Sequence, residues 1–183
     1  MPDKALPEPW LSFLAKLDAS LSAELHLHCV GGFVVTLVYD FSRPTADIDV
    51  LVLITGDDRF RKLIELGGKG SPLHHRHKIY LDCVTVAAVP ENYEERLVEM
   101  FPGTFRYLRL FALDPYDLAL TKLERNIQRD RDDVRHLARK VPFDLMILKD
   151  RYQKELRLYL GRPDREDLTL KLWIEMIEED RRT

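Results

Sequence analysis

The sequence predicts an α+β fold: a mixed β-sheet nucleus flanked by helices, followed by a helical C-terminal part. Apolar and polar residues alternate over residues 25–30, which is typical of a strand. The β-branched run at residues 48–54 is the clearest strand signal in the chain. From Asp114 onward the apolar spacing is helical to the end. Strands mixed with helices, and then helices alone, are the order expected of an α+β fold.

The elements of the first part follow in order from local patterns. Apolar residues at helical spacing after Pro9 predict a helix that ends near Glu24, and the Gly31–Gly32 pair breaks the strand that comes next. A short buried helix is expected to start directly on that pair, over residues 33–39. Further elements are predicted as a helix at 57–66 capped by Asp57, a strand at 78–89, a charged helix at 91–100 and a strand at 104–111.

The second part reads as four helices, at about 114–126, 129–140, 143–160 and 165–181. The expected domains are therefore an α/β core with an N-terminal helix at 1–112 and a helical part at 113–183 that packs on it. The apolar residues of the helix at 143–160, including Met146, Leu158 and Tyr159, are expected in the core. The last helix has a wide apolar face that would either cap the core or form a homodimer contact.

Composition limits the classes of protein. The chain has 183 residues, 45% hydrophobic and 32% charged, with a formal net charge of −3. This excludes a wholly disordered chain, and any nucleic-acid binding must use a local basic patch. No apolar run approaches the ~20 residues of a membrane span, and the N-terminus does not resemble a signal peptide. We therefore expect a cytoplasmic protein without a membrane partner, in which Cys29 and Cys83 are reduced.

Two carboxylates stand at the start of the clearest strand, in the segment Thr45–Ala46–Asp47–Ile48–Asp49. Side chains at i and i+2 point to the same face, about 6.5–7 Å apart along the strand. Two such carboxylates repel each other unless a cation lies between them, and hard oxygen ligands suit Mg²⁺ or Mn²⁺. The alternative is a strand end at which both side chains face solvent.

Two other features support the metal interpretation. Gly31–Gly32 follows a strand and opens a helix, so backbone amides there can approach a phosphate closely, although a tight turn alone also explains the pair. Asp82 lies inside another apolar strand. If that strand is next to the strand of Asp49, Asp82 is a third acid of the same site; otherwise it is an edge residue that faces water.

Basic residues supply further candidates. On one continuous helix, Lys122, Arg125, Arg129 and Asp133 share a face, and three cations match a triphosphate or a nucleic-acid backbone. The alternative is a solvated face of ion pairs. Arg43 either reaches a phosphate or pairs with Asp47. The segment His74–His75–Arg76–His77 is expected to be a cationic loop near the site that touches an RNA substrate, and its consecutive histidines do not suit a zinc site.

Taken together, these motifs resemble the DNA polymerase β-like nucleotidyltransferase superfamily. The resemblance rests on four features: a strand that ends in Gly31–Gly32, a short helix, the run Arg43–x–Thr45–x–Asp47–Ile48–Asp49–Val50, and a later strand with Asp82. Within the superfamily, the sequence looks most similar to the AbiEii/AbiGii-type toxin nucleotidyltransferases and their small relatives. The resemblance covers about residues 25–140.

The resemblance implies a role for each residue. Gly31 and Gly32 would cradle the nucleoside triphosphate, while Asp47 and Asp49 would bind Mg²⁺ or Mn²⁺. Asp82 would bind a second metal ion or activate the attacking hydroxyl. The remaining candidates are Lys122, Arg125, Arg129, Arg43 and Thr45 as nucleotide-binding residues and Asp133 as a catalytic base.

The expected function is transfer of an NMP from an NTP to an acceptor hydroxyl or phosphate. By the same resemblance the acceptor is a tRNA or a protein, and the setting is a toxin–antitoxin pair with an antitoxin as partner. The alternative is a catalytically inactive nucleotide- or RNA-binding module on the same fold. A metal-dependent phosphohydrolase is weaker, since it leaves the Gly31–Gly32 turn unexplained.

Overall fold

The computed structural model describes residues 5–52, 57–84 and 88–182. The chain forms two compact units, one made of Met1–Thr85 with Leu97–Ala112 and the other of Val86–Arg96 with Leu113–Thr183. The first unit carries a five-stranded mixed sheet and the second is helical, so the predicted α+β class is confirmed. No helix among the described residues is both long enough and apolar enough to cross a bilayer.

The first unit contains four helices and five strands within the described ranges. The helices are α1 (Trp10–Asp18), α2 (Gly31–Leu37), α3 (Asp58–Gly67) and α4 (Pro72–His77). The strands are β1 (Leu25–Val30), β2 (Asp47–Leu51), β3 (Tyr80–Val84), β4 (Val98–Met100) and β5 (Leu108–Ala112). Their order across the sheet is β3-β2-β1-β5-β4.

The sheet is mixed because β2 runs parallel to β3 but antiparallel to β1. Asp49 is the register partner of Asp82 on β3 and of Val30 on β1. Strand β1 is also parallel to β5, and β4 returns antiparallel to β5. Since register partners point to the same side of a sheet, the register brings Asp49, Asp82 and the end of β1 together on one face.

The other face of the sheet forms the core of the first unit. Its side chains are almost completely buried: Leu27, Cys29, Ile48, Val50, Leu81, Leu108 and Leu110. Burial and the nearby Asp49 both raise the pKa of the Cys29 thiol, which keeps it protonated. Both cysteines are free thiols in the structure. The apolar alternation that predicts the strands thus corresponds to one packed face.

Local sequence signals explain several helix ends of this unit. The Asp57 side chain accepts a hydrogen bond of 2.8 Å from the Arg59 backbone N–H and caps α3, as predicted. Helix α2 begins directly on Gly31, also as predicted. Ser71 caps α4 by accepting from the His74 backbone N–H, and Lys78 ends that helix in the left-handed conformation.

Four predictions for this part of the chain are corrected. Residues 91–100 do not form a helix: a 3-10 turn at Tyr93–Arg96 is followed by β4, because Val98–Met100 pairs with β5. Residues 74–77 are not a loop, since Ser71 and Pro72 start the helix α4 there. Helix α1 ends at Asp18 rather than near Glu24, and β5 is displaced to Leu108–Ala112. Parts of the predicted strands 48–54 and 78–89 lie outside the described residues.

Asp18 joins the end of α1 to the start of β5. Its carboxylate accepts backbone hydrogen bonds from Arg106, Tyr107 and Leu108 at 3.1, 2.7 and 2.8 Å. Burial opposes ionisation, but these three donors hold the pKa of Asp18 below its ordinary value. The stabilisation is therefore present above the unfolded-state pKa and is lost as the pH falls through the lower folded-state pKa.

We expect Asp18→Ala to lower the free energy of unfolding by about 1–2 kcal/mol at neutral pH, because three donors lose a charged acceptor at a partly exposed site. The difference from wild type should shrink when urea unfolding is repeated near pH 3. The control is the exposed Asp58, whose carboxylate pairs with Arg61 on its own helix. A pH-independent difference would contradict the ionic origin of the effect.

The second unit consists of α5 (Pro115–Leu120), α6 (Gln128–Lys140), α7 (Leu145–Arg151) and α8 (Pro163–Arg182). A π-helical segment, Tyr152–Leu156, and a 3-10 turn, Arg157–Tyr159, continue α7. The predicted third helix at 143–160 is thus an α-helix, a π-helical segment and a 3-10 turn in succession. The core of this unit contains Leu118, Val134, Leu137, Phe143, Leu148, Tyr152, Trp173 and Ile177.

The expected apolar stripes are only partly in that core. Met146, Leu158 and Tyr159 are 69%, 73% and 62% exposed, so the prediction is wrong for them. The break in helical geometry after Arg151 changes the direction of the side chains that follow it, Leu158 and Tyr159 among them, whereas Met146 lies on α7 before the break. On α8, Trp173 is buried and its Nε1 donates to Asn126 Oδ1 at 3.1 Å, while Leu168 and Leu172 are exposed.

An ionic cluster ties the 3-10 turn to the helices of the second unit. The Asp117 side chain is fully buried and accepts from Arg96 and Arg151, while Arg96 also donates to Glu155 at 2.7 Å. Burial, with a smaller contribution from Asp114, raises the pKa of Asp117 despite the two arginines. The segment 91–100, predicted as a charged helix, thus includes Arg96, whose ion-pair partners Asp117 and Glu155 are distant in the sequence.

Candidate active site

Three carboxylates converge on one face of the sheet in the first unit. Asp47, Asp49 and Asp82 each offer an oxygen atom, and these atoms lie within 4.8 Å of one another. The convergence follows from the parallel register that places Asp49 beside Asp82, with Asp47 two residues before Asp49. Asp47 and Asp49 are half-buried and Asp82 is exposed. The strand that carries Asp82 is therefore the neighbour of the strand that carries the Asp pair.

The Gly31–Gly32 turn packs directly against this acidic triad. Gly31 has a φ of +69°, and a Cβ built on it would overlap the Oδ2 atom of Asp49. A Cβ on Gly32 would lie 2.5 Å from an Arg43 Nη atom and 3.0 Å from Thr45 Oγ1. The missing side chains are thus what allows the turn, the carboxylate and Arg43 to approach one another.

Thr45 and Arg43 belong to the same cluster. The Thr45 hydroxyl donates a hydrogen bond of 2.9 Å to Asp47 Oδ1, which orients that carboxylate. Arg43 lies against Gly32, so its guanidinium is beside the glycine turn. Seven predicted site residues from separate segments of the sequence come together here: Gly31, Gly32, Arg43, Thr45, Asp47, Asp49 and Asp82.

The negative charge of the triad acts on its neighbours. Tyr80, the register partner of Asp47, has a raised pKa because of burial first and then Asp47, Asp82 and Asp49. Burial and Asp82 raise the pKa of Cys83. The part of each shift that comes from the carboxylates reflects the negative charge of the triad, which a divalent cation would neutralise.

The donor set fits a hard divalent cation. Three carboxylates with oxygen atoms within 4.8 Å match the ligands that Mg²⁺ and Mn²⁺ prefer. Such ions keep water or phosphate oxygens as their other ligands, and Asp82 is exposed at the edge strand, where such ligands can enter. The arrangement can hold metal ions against a phosphate group while the glycine turn approaches from the β1 side.

Replacing Gly31 with Ala is expected to lower Mn²⁺ affinity by about tenfold or more, because the new methyl group displaces the Asp49 carboxylate. The positive φ adds a backbone cost of about 1–2 kcal/mol, which thermal unfolding measures. Gly70→Ala is the matched control, since Gly70 also has a positive φ but a Cβ there meets nothing within 4 Å. Equal Mn²⁺ affinities for the two variants, measured by calorimetry, would show that the Gly31 contact does not matter.

The four residues predicted on one basic helix face lie differently in the second unit. Helix α5 ends at Leu120 and α6 begins at Gln128, so Lys122 and Arg125 are in the connection between two helices. The prediction of one continuous helix is wrong. The turn at Asn126, which has a φ of 44°, separates these residues from Arg129 and Asp133 on α6.

Lys122 is a buried ion-pair partner instead of a residue on a solvated face. It is 3% exposed, and its Nζ donates a 2.7 Å hydrogen bond to Asp133 Oδ2, which is completely buried. Arg125 binds Asp130 through two hydrogen bonds of 2.6 and 2.9 Å. Burial opposes ionisation of Asp130, but Arg125 and Lys122 hold its pKa below the ordinary value. Arg129 is exposed.

Two residues beside the triad, Tyr80 and Lys69, are not predicted as part of the site, whereas His74 is expected near it but in a loop. Tyr80 is two positions before Asp82 and shares its face, a relation that the strand period could have revealed. The His74 ring meets the Tyr80 ring edge-on at 4.9 Å, and Lys69 Nζ lies 5.6 Å from the centre of that ring. No local signal relates Lys69 to Tyr80, because their contact depends on how α4 returns to the sheet.

A mixed sheet whose neighbouring strands present three carboxylates beside a glycine turn defines a class: proteins suited to metal-assisted chemistry on phosphate groups. The chain belongs to the family described as nucleotidyltransferase of unknown function (DUF6036), whose family model matches residues 12–181. No curated protein and no solved structure gave a match. Family membership confirms the expected nucleotidyltransferase relationship in its general form.

Proposed function

We propose that this protein is a metal-dependent nucleotidyltransferase that moves an NMP from an NTP to an acceptor hydroxyl or phosphate. The observation that carries the proposal is the convergence of Asp47, Asp49 and Asp82 within 4.8 Å beside Gly31. Family membership supports the reaction class. The proposal adds the metal, the substrate and the residues that act.

Asp47 and Asp49 would hold Mg²⁺ or Mn²⁺, with Asp82 as the third ligand. Bound there, the cations would neutralise charge on the entering and leaving oxygens of an in-line displacement. The chain itself supplies the orientation of the ligands. Thr45 fixes one oxygen of Asp47, and the register of β2 with β3 holds Asp82 opposite Asp49.

The phosphates of the NTP would lie on the β1 side of the triad. Gly31 and Gly32 leave room there for close approach of a ligand to the backbone, and Arg43 supplies a guanidinium at Gly32. A planar guanidinium binds phosphate oxygens in pairs, which positions the triphosphate and offsets its charge. Catalysis of this kind depends on position and electrostatics, without a covalent intermediate on the protein.

The resemblance also implies that Lys122, Arg125 and Arg129 contact the nucleotide and that Asp133 acts as a base. In the second unit, Lys122 is held by Asp133, and Arg125 is held by Asp130. A structural role explains both pairs without a ligand. The proposed mechanism therefore does not use these four residues. It depends on the residues of the first unit alone.

The proposal also covers the acceptor, the partner protein and the cellular location. Similarity to AbiEii/AbiGii-type toxins suggests a tRNA or protein acceptor, an antitoxin partner and action in the cytoplasm. The competing function is an inactive nucleotide- or RNA-binding module. The presence of all three carboxylates in one cluster favours catalysis, because binding alone does not require a third acid.

The test is a transfer assay with each of the four NTPs labelled at the α-phosphate, in Mg²⁺ or Mn²⁺, with total tRNA or cell lysate as acceptor. We expect label to enter an acceptor with release of pyrophosphate, and chelation of the metal with EDTA to stop both. Nucleotide binding without transfer or pyrophosphate release would support the inactive module. Release of inorganic phosphate without label transfer would support a phosphohydrolase.

A further inference from the structure

A cluster of rings and cations lies beside the acidic triad in the first unit. It consists of Lys69, His74, His75 and Tyr80, which we call the β3 platform. The His74 ring meets Tyr80 edge-on at 4.9 Å and stacks on the His75 ring at 5.4 Å. Lys69 Nζ lies 5.6 Å from the centre of the Tyr80 ring. The platform is adjacent to the triad, because Tyr80 is the register partner of Asp47.

The central ring of the β3 platform is held in place. The Gly70 backbone N–H donates a 2.9 Å hydrogen bond to His74 Nδ1, which orients the ring. With Tyr80 on one side and His75 on the other, the ring is oriented from three directions. Rings that are already oriented lose little conformational entropy when a ligand stacks on them.

The β3 platform and the glycine turn lie on opposite sides of β2. The sheet order β3-β2-β1 places Tyr80 on one neighbouring strand and Gly31 at the end of the other. Two strand spacings separate them, about 10 Å. In an in-line displacement the entering and leaving groups are also on opposite sides of the reacting phosphorus. If the triphosphate lies at the glycines, the platform is on the side from which the acceptor enters.

The segment that carries the β3 platform is rich in cationic residues, although the chain has a net negative charge. Between Glu65 and Asp82 the sequence has no acidic residue, whereas Lys69, Arg76 and Lys78 are cationic and exposed. The formal charge of the whole chain is −3. A local positive surface next to three carboxylates attracts a polyanion that would otherwise be repelled.

We infer that the β3 platform binds the end of a single-stranded nucleic acid and presents its terminal hydroxyl to the triad. The inference rests on the proposed function and names its acceptor. Stacking of bases on aromatic rings together with cations along the backbone is the usual chemistry of single-strand binding. A protein acceptor would not require this combination of oriented rings and cations.

The step balances as a simple transfer. The terminal hydroxyl oxygen of the strand forms a bond to the α-phosphorus of the NTP, and the bond between that phosphorus and the bridging oxygen of the β-phosphate breaks. Pyrophosphate leaves with the electron pair. The hydroxyl proton passes to a carboxylate of the triad and from there to solvent. Lys69 and Tyr80 bind and position the strand, without taking part in the proton transfer.

The test is binding of fluorescein-labelled single strands of about 12 nucleotides to the full chain, measured by anisotropy. RNA and DNA of one sequence are compared to identify the type of strand. We expect Lys69→Ala and Tyr80→Leu each to weaken binding by about fivefold or more, with a smaller salt slope for Lys69→Ala. Lys62→Ala is the matched control, since Lys62 is an exposed lysine on α3 of the same unit and should change affinity less than twofold.

Mn²⁺ affinity of the same variants separates this inference from the proposed function. If wild type fails to bind Mn²⁺, the metal site and the proposed function are wrong, whatever the strand does. If Mn²⁺ binds but single strands do not, or if Lys69→Ala and Lys62→Ala bind them equally, the platform inference is overturned. Transfer of label to protein alone in the lysate assay would overturn it as well. Circular dichroism checks that Tyr80→Leu is folded.

Discussion

Asp47→Asn and Asp49→Asn are each expected to abolish detectable Mn²⁺ binding and to reduce nucleotidyl transfer by at least about a hundredfold. Each change removes one charged ligand from a set of three whose oxygens lie within 4.8 Å. The melting temperature should stay the same or rise, because the apo protein loses repulsion between carboxylates. Calorimetric titration with Mn²⁺ and thermal unfolding of the same samples measure both effects.

The control for this pair is Asp58→Asn, which neutralises an exposed acid on α3 of the same unit. It should leave both Mn²⁺ affinity and transfer within about twofold of wild type. Wild-type Mn²⁺ affinity in both triad variants would remove the metal from this site. A large loss of melting temperature would instead assign the two carboxylates a structural role.

Lys122→Ala is expected to have the largest effect on stability, a loss of about 3–5 kcal/mol in the free energy of unfolding. The reason is that the fully buried Asp133 carboxyl group would lose the ammonium group that now lies 2.7 Å away, and alanine supplies no replacement. Asp133→Ala should lower the free energy of unfolding by a similar amount, because the buried Lys122 ammonium group loses its carboxylate partner. Urea unfolding of the full chain measures both losses.

A double variant, Lys122→Met with Asp133→Leu, should recover much of that stability, because no uncompensated charge stays buried. Arg139→Ala is the control: Arg139 is 64% exposed and pairs with Asp180, so its loss should cost less than about 0.5 kcal/mol. If Lys122→Ala keeps wild-type stability but loses affinity for an NTP analogue, the nucleotide contact implied by the resemblance would replace the structural role.

Much of the site could be predicted from the sequence because its signals are local. Asp47 and Asp49 are two residues apart on a β-branched strand, so the strand period alone places them on one face. The Gly31–Gly32 turn follows directly from the end of an alternating strand, and α2 starts there as predicted. Neither inference requires knowledge of what is distant in the chain.

The placement of Asp82 needed more than a local pattern. The sequence shows an acid in an apolar strand, but only the parallel register of β3 with β2 puts it opposite Asp49. Resemblance to a known superfamily supplied that expectation, whereas periodicity alone left an edge residue facing water as the alternative. The position of Tyr80 beside the triad was not predicted, because it depends on the same pairing of β3 with β2.

The sequence by itself determined the α+β class, the strands β1 and β2 and the acidic pair, since strand and helix periods reflect which face of each element is buried. Only the tertiary structure decided that Val98–Met100 is a strand, because hydrogen bonds to β5 outweigh the local helical pattern. It alone decided that Lys122 meets Asp133, 11 residues away. A buried charge takes its partner from whichever element packs against it, and spacing along one assumed helix does not contain that information.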